Sequence, residues 1–200
     1  MRNPSRLIAI GAAGLLVAAA CNSSQPQPQP TTSAANTAPA KTPVERGKYI
    51  VDTSGCNDCH TPWRMGANNQ PEPDMSRFLS GHPEGMKVTK PPKTEGMWMG
   101  SMTGTFTAWA GPWGISYTAN LTPDPSGLSA WDEAMFIKAI REGKHMGANA
   151  RDILPPMPWL VYKNWTDDDI KAVFAYLKTI TPVRNHVPDP TPPDEVAKMK

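Results

Sequence analysis

Cysteine is scarce in this sequence, with only three among its 200 residues. Cys21 lies far from the pair formed by Cys56 and Cys59. Apart from His60, the histidines are isolated in the sequence: His82, His145 and His186. A structural zinc site usually takes four ligands, from two Cys-x-x-Cys pairs or from one pair and spaced histidines. The small number of ligands therefore argues against a structural zinc site.

The sequence also lacks an apolar run of membrane-spanning length at its N-terminus. The run from Leu7 to Ala20 has 14 residues and follows Arg2 and Arg6, which is typical of a secretory signal peptide. Small residues directly before Cys21 resemble a bacterial lipoprotein cleavage site. This predicts that residues 1–20 are removed and that Cys21 is acylated. The alternative is an ordinary signal peptide cut near Ala20, which would leave Cys21 as a free thiol.

The predicted mature sequence also lacks an excess of positive or negative charge. The 20 Lys and Arg residues fall to 18 when Arg2 and Arg6 are removed with the signal peptide, against 18 Asp and Glu. Nucleic-acid binding calls for a basic surface. We therefore expect no nucleic acid as a partner.

Large apolar residues are absent from positions 22–42, which are rich in Pro, Gln, Ser, Thr and Ala. Such a composition cannot build a core, so residues 21–42 are predicted to be a tether. With an extended polyproline-type backbone it would reach on the order of 60 Å. Residues 43–187 are enough for one domain with one core, and residues 188–200 form a Pro-rich tail.

Three segments predict helices. The first runs from about residue 44 to 52 and is preceded by Pro43. The second begins at Ser129, with Asp132 as its capping partner, and ends near Gly143. Its expected apolar face is Ala134, Ile137 and Ile140.

The third predicted helix is capped by Thr166, has three aspartates in its first turn, and is ended by Pro182. Its apolar positions recur with helical spacing: Ile170, Val173, Phe174, Leu177 and Ile180. Gly47 in the first helix and Tyr176 in the third mark where these two helices are expected to cross.

Alternating strand patterns are not evident elsewhere. Residues 64–120 are mostly Gly, Pro, Met, Thr and Trp, which indicates a long ordered loop with a hairpin around residues 97–113. The predicted fold class is therefore all-α with a long loop-rich insert. Three short helices bury little apolar surface, so a large apolar cofactor would account for a stable domain.

The segment Cys56-Asn57-Asp58-Cys59-His60 has three possible chemical meanings. A redox dithiol needs a βαβ context, which the sequence does not show, and a zinc site lacks ligands. Haem attachment uses every residue: the thiols of Cys56 and Cys59 add to the haem vinyl groups and His60 becomes the proximal iron ligand. We therefore predict one covalent haem c.

Residues 44–188 resemble a class I cytochrome c. Two segments resemble the cytochrome domains that accompany periplasmic alcohol and related dehydrogenases. The first is 120–131, with Asn-Leu-Thr-Pro-Asp and Trp131, and the second is 153–159, with Ile-Leu-Pro-Pro-Met-Pro-Trp. The resemblance implies a class I fold of three to five helices around the haem. Those relatives often carry three haems, whereas this chain has a single Cys-x-x-Cys-His.

The resemblance also implies roles for further residues. Met157, held between prolines before the last helix, is the expected distal ligand, whereas the other methionines are expected to be core or surface residues. Trp131 is expected either to donate to a haem propionate or to pack on its helix. Asn120, Thr122 and Arg141 are weaker propionate candidates. A backbone carbonyl near Pro71 or Pro73 is expected to accept from His60, and the isolated histidines are expected at the surface.

These features predict a periplasmic, lipid-anchored monohaem cytochrome c that carries one electron at a time. Its expected partners are redox proteins: a dehydrogenase, another cytochrome or a terminal oxidase. Two filled axial positions leave no substrate site, so the chain is not expected to be an enzyme. The alternatives are a haem protein with an open iron face, acting as a sensor or peroxidase, and a fixed subunit of a dehydrogenase complex.

Overall fold

The computed structural model describes residues 41–145 and 151–200. The predicted signal peptide, Cys21, nearly all of the predicted tether and Met146 lie outside these residues. No described helix is both long enough and apolar enough to cross a membrane.

The described chain contains six helices, two 3-10 turns at Ala67–Asn69 and Met75–Arg77, and five short strands. The helices are α1 (Pro43–Thr53), α2 (Cys56–His60), α3 (Glu133–Glu142), α4 (Trp159–Tyr162), α5 (Asp167–Leu177) and α6 (Pro193–Lys198). The strands are β1 (Trp63–Met65), β2 (Pro71–Pro73), β3 (Ser101–Met102), β4 (Ala108–Gly111) and β5 (Gly114–Tyr117). The fold is therefore mixed, and the all-α prediction is too simple.

Helices α1 and α5 pack against each other, as the sequence predicts. Thr42 caps α1 in a capping box, in which its hydroxyl accepts from the Glu45 N–H at 3.2 Å and the Glu45 carboxylate accepts from the Thr42 N–H at 2.8 Å. A Cβ on Gly47 would lie 1.9 Å from the Ala172 carbonyl oxygen and 2.9 Å from the Tyr176 Cβ. The predicted crossing at Gly47 is confirmed, because only glycine permits so close an approach.

Gly47→Ala is therefore expected to lower the free energy of unfolding by about 2 kcal/mol or more, because the new methyl must push the α5 backbone away. Guanidinium denaturation of the holoprotein measures the loss. Gly104→Ala is the matched control, since a Cβ there meets no atom within 4 Å. Equal stabilities for the two variants would contradict the packing at Gly47.

Helix α5 begins as predicted, with the Thr166 hydroxyl accepting from the Asp169 N–H at 3.1 Å, and it ends at Leu177, before Pro182. The predicted start of α3 is wrong. It begins at Glu133, with the Asp132 carboxylate accepting from the Met135 N–H at 2.7 Å.

Ser129 cannot cap α3 because it belongs to the preceding turn, where its N–H donates to the Asp124 carbonyl at 3.2 Å. Phe136, Ala139 and Ile140 are the buried residues of α3, whereas Ala134 is exposed. The end of α3 at Gly143, in the left-handed conformation, is confirmed.

The insert between α2 and α3 contains two small antiparallel sheets, one of β1 and β2 and one in the order β3-β4-β5. Strands β3 and β4 pair antiparallel within residues 101–111, which confirms the predicted hairpin around residues 97–113, and β5 joins β4 through a turn at Pro112 and Trp113. Gly114 has φ +93°, and a Cβ there would lie 2.1 Å from the Thr191 carbonyl oxygen. The segment predicted as a tail reaches this hairpin, because Thr191 exchanges two backbone hydrogen bonds with Ile115, at 2.8 and 2.9 Å.

The hydrophobic core joins the helices to the loop that follows the insert's first sheet. Its buried members are Ile50, Val51, Leu79, Leu128, Phe136, Ile140, Tyr162, Ile170, Val173, Phe174 and Leu177. Cys56, Trp131 and Met157 pack against this core from its edge. The core and the predicted site residues therefore meet in one region.

Candidate functional site

A cavity of about 380 Å³ opens beside the core, within the size range of small-molecule and cofactor sites. Four predicted site residues line it together: Cys56, Cys59, His60 and Met157. Apolar residues from the helices and from the turn before α3 form much of the remaining wall, including Val51, Leu128, Phe136, Ile140, Val173 and Leu177.

Helix α2 presents both cysteines to the cavity. It starts after Gly55, which has φ +74° and so turns the chain sharply out of the end of α1. Cys56 and Cys59 are three residues apart on α2 and therefore share a face. Both thiols are free of disulfide bonds and half-buried, and burial raises the pKa of Cys56 to about 11 and also raises the pKa of Cys59.

The orientation of His60 is fixed by the backbone of Ala119. The ring Nδ1 lies 2.8 Å from the Ala119 carbonyl oxygen. A carbonyl only accepts, so Nδ1 carries the proton and Nε2 keeps a lone pair for a metal. Burial lowers the pKa of His60, which favours the neutral imidazole that coordinates iron. The predicted acceptor near Pro71 or Pro73 is wrong, because those residues form β2 and the segment after β5 supplies the carbonyl.

The loop after β2 forms hydrogen bonds to the His60 backbone and to the side chain of Thr61. The Gly81 N–H donates to the His60 carbonyl at 2.7 Å, and the Leu79 N–H donates to the Thr61 hydroxyl at 2.8 Å. A Cβ on Gly81 would lie 2.4 Å from the Thr118 carbonyl oxygen, so this loop lies directly against the segment that contains Ala119.

His82 is fully buried, which overturns its expected place at the surface. Its Nε2 lies 3.0 Å from the Met86 carbonyl and donates to it, whereas Nδ1 lies 2.9 Å from the Thr107 hydroxyl. The ring also packs on Tyr117, with centroids 4.9 Å apart. Partners from the insert thus satisfy both ring nitrogens. His186 is exposed and His145 half-buried, and both line the cavity.

Met157 lies in the loop from Pro155 to Pro158 that leads into α4. Its side chain is half-buried and packs against the core, and the whole loop lines the cavity. The Pro158 carbonyl accepts from the Val161 N–H at 2.9 Å, which ties the end of the loop to the first turn of α4. By contrast, Met97 and Met99 are largely exposed.

The predicted propionate partners differ in where the fold places them. Trp131 lines the cavity, and its ring is perpendicular to that of His145, with centroids 5.7 Å apart. Asn120 also borders the cavity, but its amide donates to the Val183 carbonyl at 2.9 Å and its oxygen accepts from Thr122 at 2.8 Å. Thr122 is fully buried within this network rather than in the cavity wall.

Arg141 does not line the cavity; it binds the Lys163 carbonyl and the Asp167 carboxylate. Sequence reasoning missed a different cation, Arg151, which does line the cavity together with Asp189. Burial lowers the pKa of Arg151, and the negative charge of Asp189 offsets only part of this shift. The sequence gave no signal for Arg151, since the residues that line the cavity with it, at 186–190, come at least 35 positions later in the chain.

Tyr162 is a second residue that the sequence did not single out. It lines the cavity from α4, donates its hydroxyl to the Ser54 carbonyl, and stacks on Trp165 at 4.4 Å between centroids. Burial raises the pKa of Tyr162 to about 12, so the phenol stays protonated. This bond links the segment after Met157 to the turn before Cys56.

The donors at this cavity fit haem c better than a bare metal ion. Within residues 41–145 and 151–200, no group of three or more His, Cys, Asp and Glu could hold a metal ion. The cavity instead offers two thiols, the His60 imidazole with its Nε2 directed away from the Ala119 bond, a thioether and an apolar wall, and His145 and His186 also line it. These are the groups that a covalently attached, axially ligated haem requires.

Comparison with known proteins agrees with this donor set. Residues 44–181 match the family model described as Cytochrome c. The chain is 28% identical over 137 residues to the fructose dehydrogenase cytochrome subunit of Gluconobacter japonicus, covering 68% of this chain and 21% of that protein. It is 34% identical over 134 residues to the gluconate 2-dehydrogenase cytochrome c subunit of Pantoea cypripedii, covering 66% and 22%.

A third relative is the cytochrome c subunit of the quinone-dependent alcohol dehydrogenase of Gluconobacter oxydans. The chain is 26% identical to it over 152 residues, which cover 73% of this chain and 24% of that protein. The chain thus spans about a quarter or less of the length of these relatives.

Proposed function

Because this chain belongs to the cytochrome c family, we propose that it is a monohaem electron carrier that serves a dehydrogenase. The observation that carries the proposal is the shared cavity of Cys56, Cys59, His60 and Met157. The sequence contains a single Cys-x-x-Cys-His, which supports one haem.

Haem c, when bound, supplies an iron that takes up and gives up one electron. Cys56 and Cys59 would hold its edge through thioether bonds. His60 would bind the iron through Nε2, with its ring held by Ala119. Met157 would be the second residue to bind the iron. With His60 and Met157 both as ligands, the iron would have no place for a substrate, which supports a carrier rather than an enzyme.

A dehydrogenase is the proposed electron donor. The similar proteins from Gluconobacter japonicus and Pantoea cypripedii are named as cytochrome subunits of dehydrogenases. This chain matches only part of each, so the identity of its own donor is a proposal. Co-purification from membranes tests it: a flavin or quinone dehydrogenase that reduces the purified haem supports the proposal. A chain that purifies alone and is reduced by no membrane dehydrogenase would contradict it.

Spectroelectrochemistry tests the carrier itself. We expect a single one-electron transition, a low-spin ferric spectrum with the weak red absorption band of methionine ligation, and slow binding of carbon monoxide to the reduced protein. Rapid carbon monoxide binding and a missing methionine band would instead assign an open iron face, as in a sensor or peroxidase.

The location is proposed to be the periplasmic side of a bacterial membrane, held by an acylated Cys21 and the tether of residues 21–42. Cys21→Ser is expected to move the protein from the membrane fraction to the soluble periplasmic fraction, because the variant lacks the residue that would be acylated. Fractionation with haem staining measures this, and the haem spectrum is expected to stay unchanged. A variant that remains in the membrane fraction would rule out lipidation as the anchor.

A further inference from the structure

Strand β5 and the residues after it contact both segments that contain the proposed axial ligands. The Ala119 carbonyl accepts from His60 Nδ1 at 2.8 Å. Three residues earlier, the Ser116 hydroxyl donates to the Pro155 carbonyl at 2.5 Å. Three residues of extended backbone span at most about 10 Å, so one short stretch of the insert reaches both ligand segments.

The loop of Met157 has few means of anchoring itself. Prolines occupy positions 155, 156 and 158, and proline has no N–H to donate. The loop is held at its start, where the Ile153 N–H donates to the Gly143 carbonyl at 2.7 Å, and at its end by α4. Between these points, the loop receives a hydrogen bond from outside: the Ser116 hydroxyl donates to the carbonyl of Pro155, which lies two residues before Met157.

The geometry around the Ser116 hydroxyl favours a hydrogen bond to the Pro155 carbonyl over one to the Trp109 carbonyl. Ser116 is only 7% exposed, so its hydroxyl is largely withheld from water. It has one proton and two neighbouring carbonyls, that of Pro155 at 2.5 Å and that of Trp109 at 3.3 Å. The shorter contact takes the proton. Pro155 itself is exposed, so its position depends on this bond from the buried Ser116 hydroxyl, which ties the loop to β5.

We propose that Ser116 is a positioning residue for Met157, and that β5 with its continuation to Ala119 is a brace that holds both axial-ligand segments. The proposal rests on the proposed ligation by Met157. The insert would then secure the iron ligands, rather than only covering the domain. The brace would act on Met157 through Pro155 without touching the haem.

Competition with exogenous imidazole in the ferric holoprotein tests this proposal. Ser116→Ala is expected to let imidazole displace the methionine at an about fivefold lower concentration, which corresponds to the loss of one hydrogen bond of about 1 kcal/mol. The methionine absorption band reports the displacement. Ser116→Thr, which keeps a hydroxyl, is expected to restore wild-type behaviour.

Thr103→Val is the matched control for general weakening of the sheet. It removes hydroxyl bonds in the connection between β3 and β4 of the same sheet, to Thr105 at 2.9 Å and from the Ala108 N–H at 3.2 Å, but none to the loop of Met157. Both variants are expected to lower the denaturation midpoint, and only Ser116→Ala is expected to change imidazole binding. If the two variants bind imidazole equally, the role of Ser116 is refuted while Met157 ligation stands.

Met157→Ala in parallel separates this failure from failure of the proposed ligation. If the wild type already binds imidazole as tightly as Met157→Ala, Met157 is not the ligand, and both proposals are overturned.

Discussion

Met157→Ala is expected to convert the ferric haem from low-spin to high-spin and to lower its reduction potential by on the order of 0.1 V. A thioether is a soft, neutral ligand that favours Fe(II) over Fe(III), and axial ligands span a range of about 0.8 V. The iron face left open is also expected to bind carbon monoxide and peroxide. Optical spectroscopy and potentiometric titration measure these changes.

Met99→Ala is the control, because Met99 is largely exposed and does not line the cavity. It is expected to keep the low-spin spectrum and the wild-type potential. If Met157→Ala also keeps both, another side chain is the ligand. His145 and His186 would be examined first, since both line the cavity, whereas both ring nitrogens of the buried His82 already have partners.

The elements that sequence patterns predicted correctly are those with local causes. Helices α1 and α5 have capping residues and apolar positions with helical spacing, and Gly47 marks their contact. The Cys-x-x-Cys-His segment carries its chemistry in five consecutive residues. Neither kind of signal depends on a distant part of the chain.

The elements that were missed depend on distant contacts. The acceptor of His60 is the carbonyl of Ala119, 59 positions away, and a backbone carbonyl has no residue type by which a sequence could reveal it. His82 is buried because Thr107 and Met86 satisfy its nitrogens within the folded insert. Ser129 and Asp132 are both good capping residues, and only the turn at Asp124 decides between them.

The hairpin of β3 and β4 lies where the sequence predicted one, whereas β1, β2 and β5 were missed for a different reason. These three strands contain three or four residues each, which is too few for an alternating pattern to stand out. β5 is also buried at three consecutive positions, so it shows no alternation of buried and exposed residues. The same strand contains Ser116 and leads to Ala119. The functional contribution of the insert therefore could not be predicted from its composition.

The double variant Cys56→Ser and Cys59→Ser is expected to abolish covalent haem attachment and to leave a chain that unfolds readily. Haem staining on a denaturing gel is expected to be lost completely, because both thioether bonds are removed. Without haem the apolar wall of the cavity would face water, and the loss of this burial is expected to remove much of the stability of an ordinary domain.

Two controls separate attachment from ligation in this experiment. Met157→Ala is expected to keep haem staining, since the thioether bonds lie on α2, and Cys21→Ser is expected to keep it too. The single variant Cys59→Ser retains one thiol, at Cys56, and is expected to stain more weakly than the wild type but more strongly than the double variant. A double variant that still stains for haem would contradict attachment through Cys56 and Cys59, and a wild type that carries zinc on these thiols instead of haem would reverse the assignment.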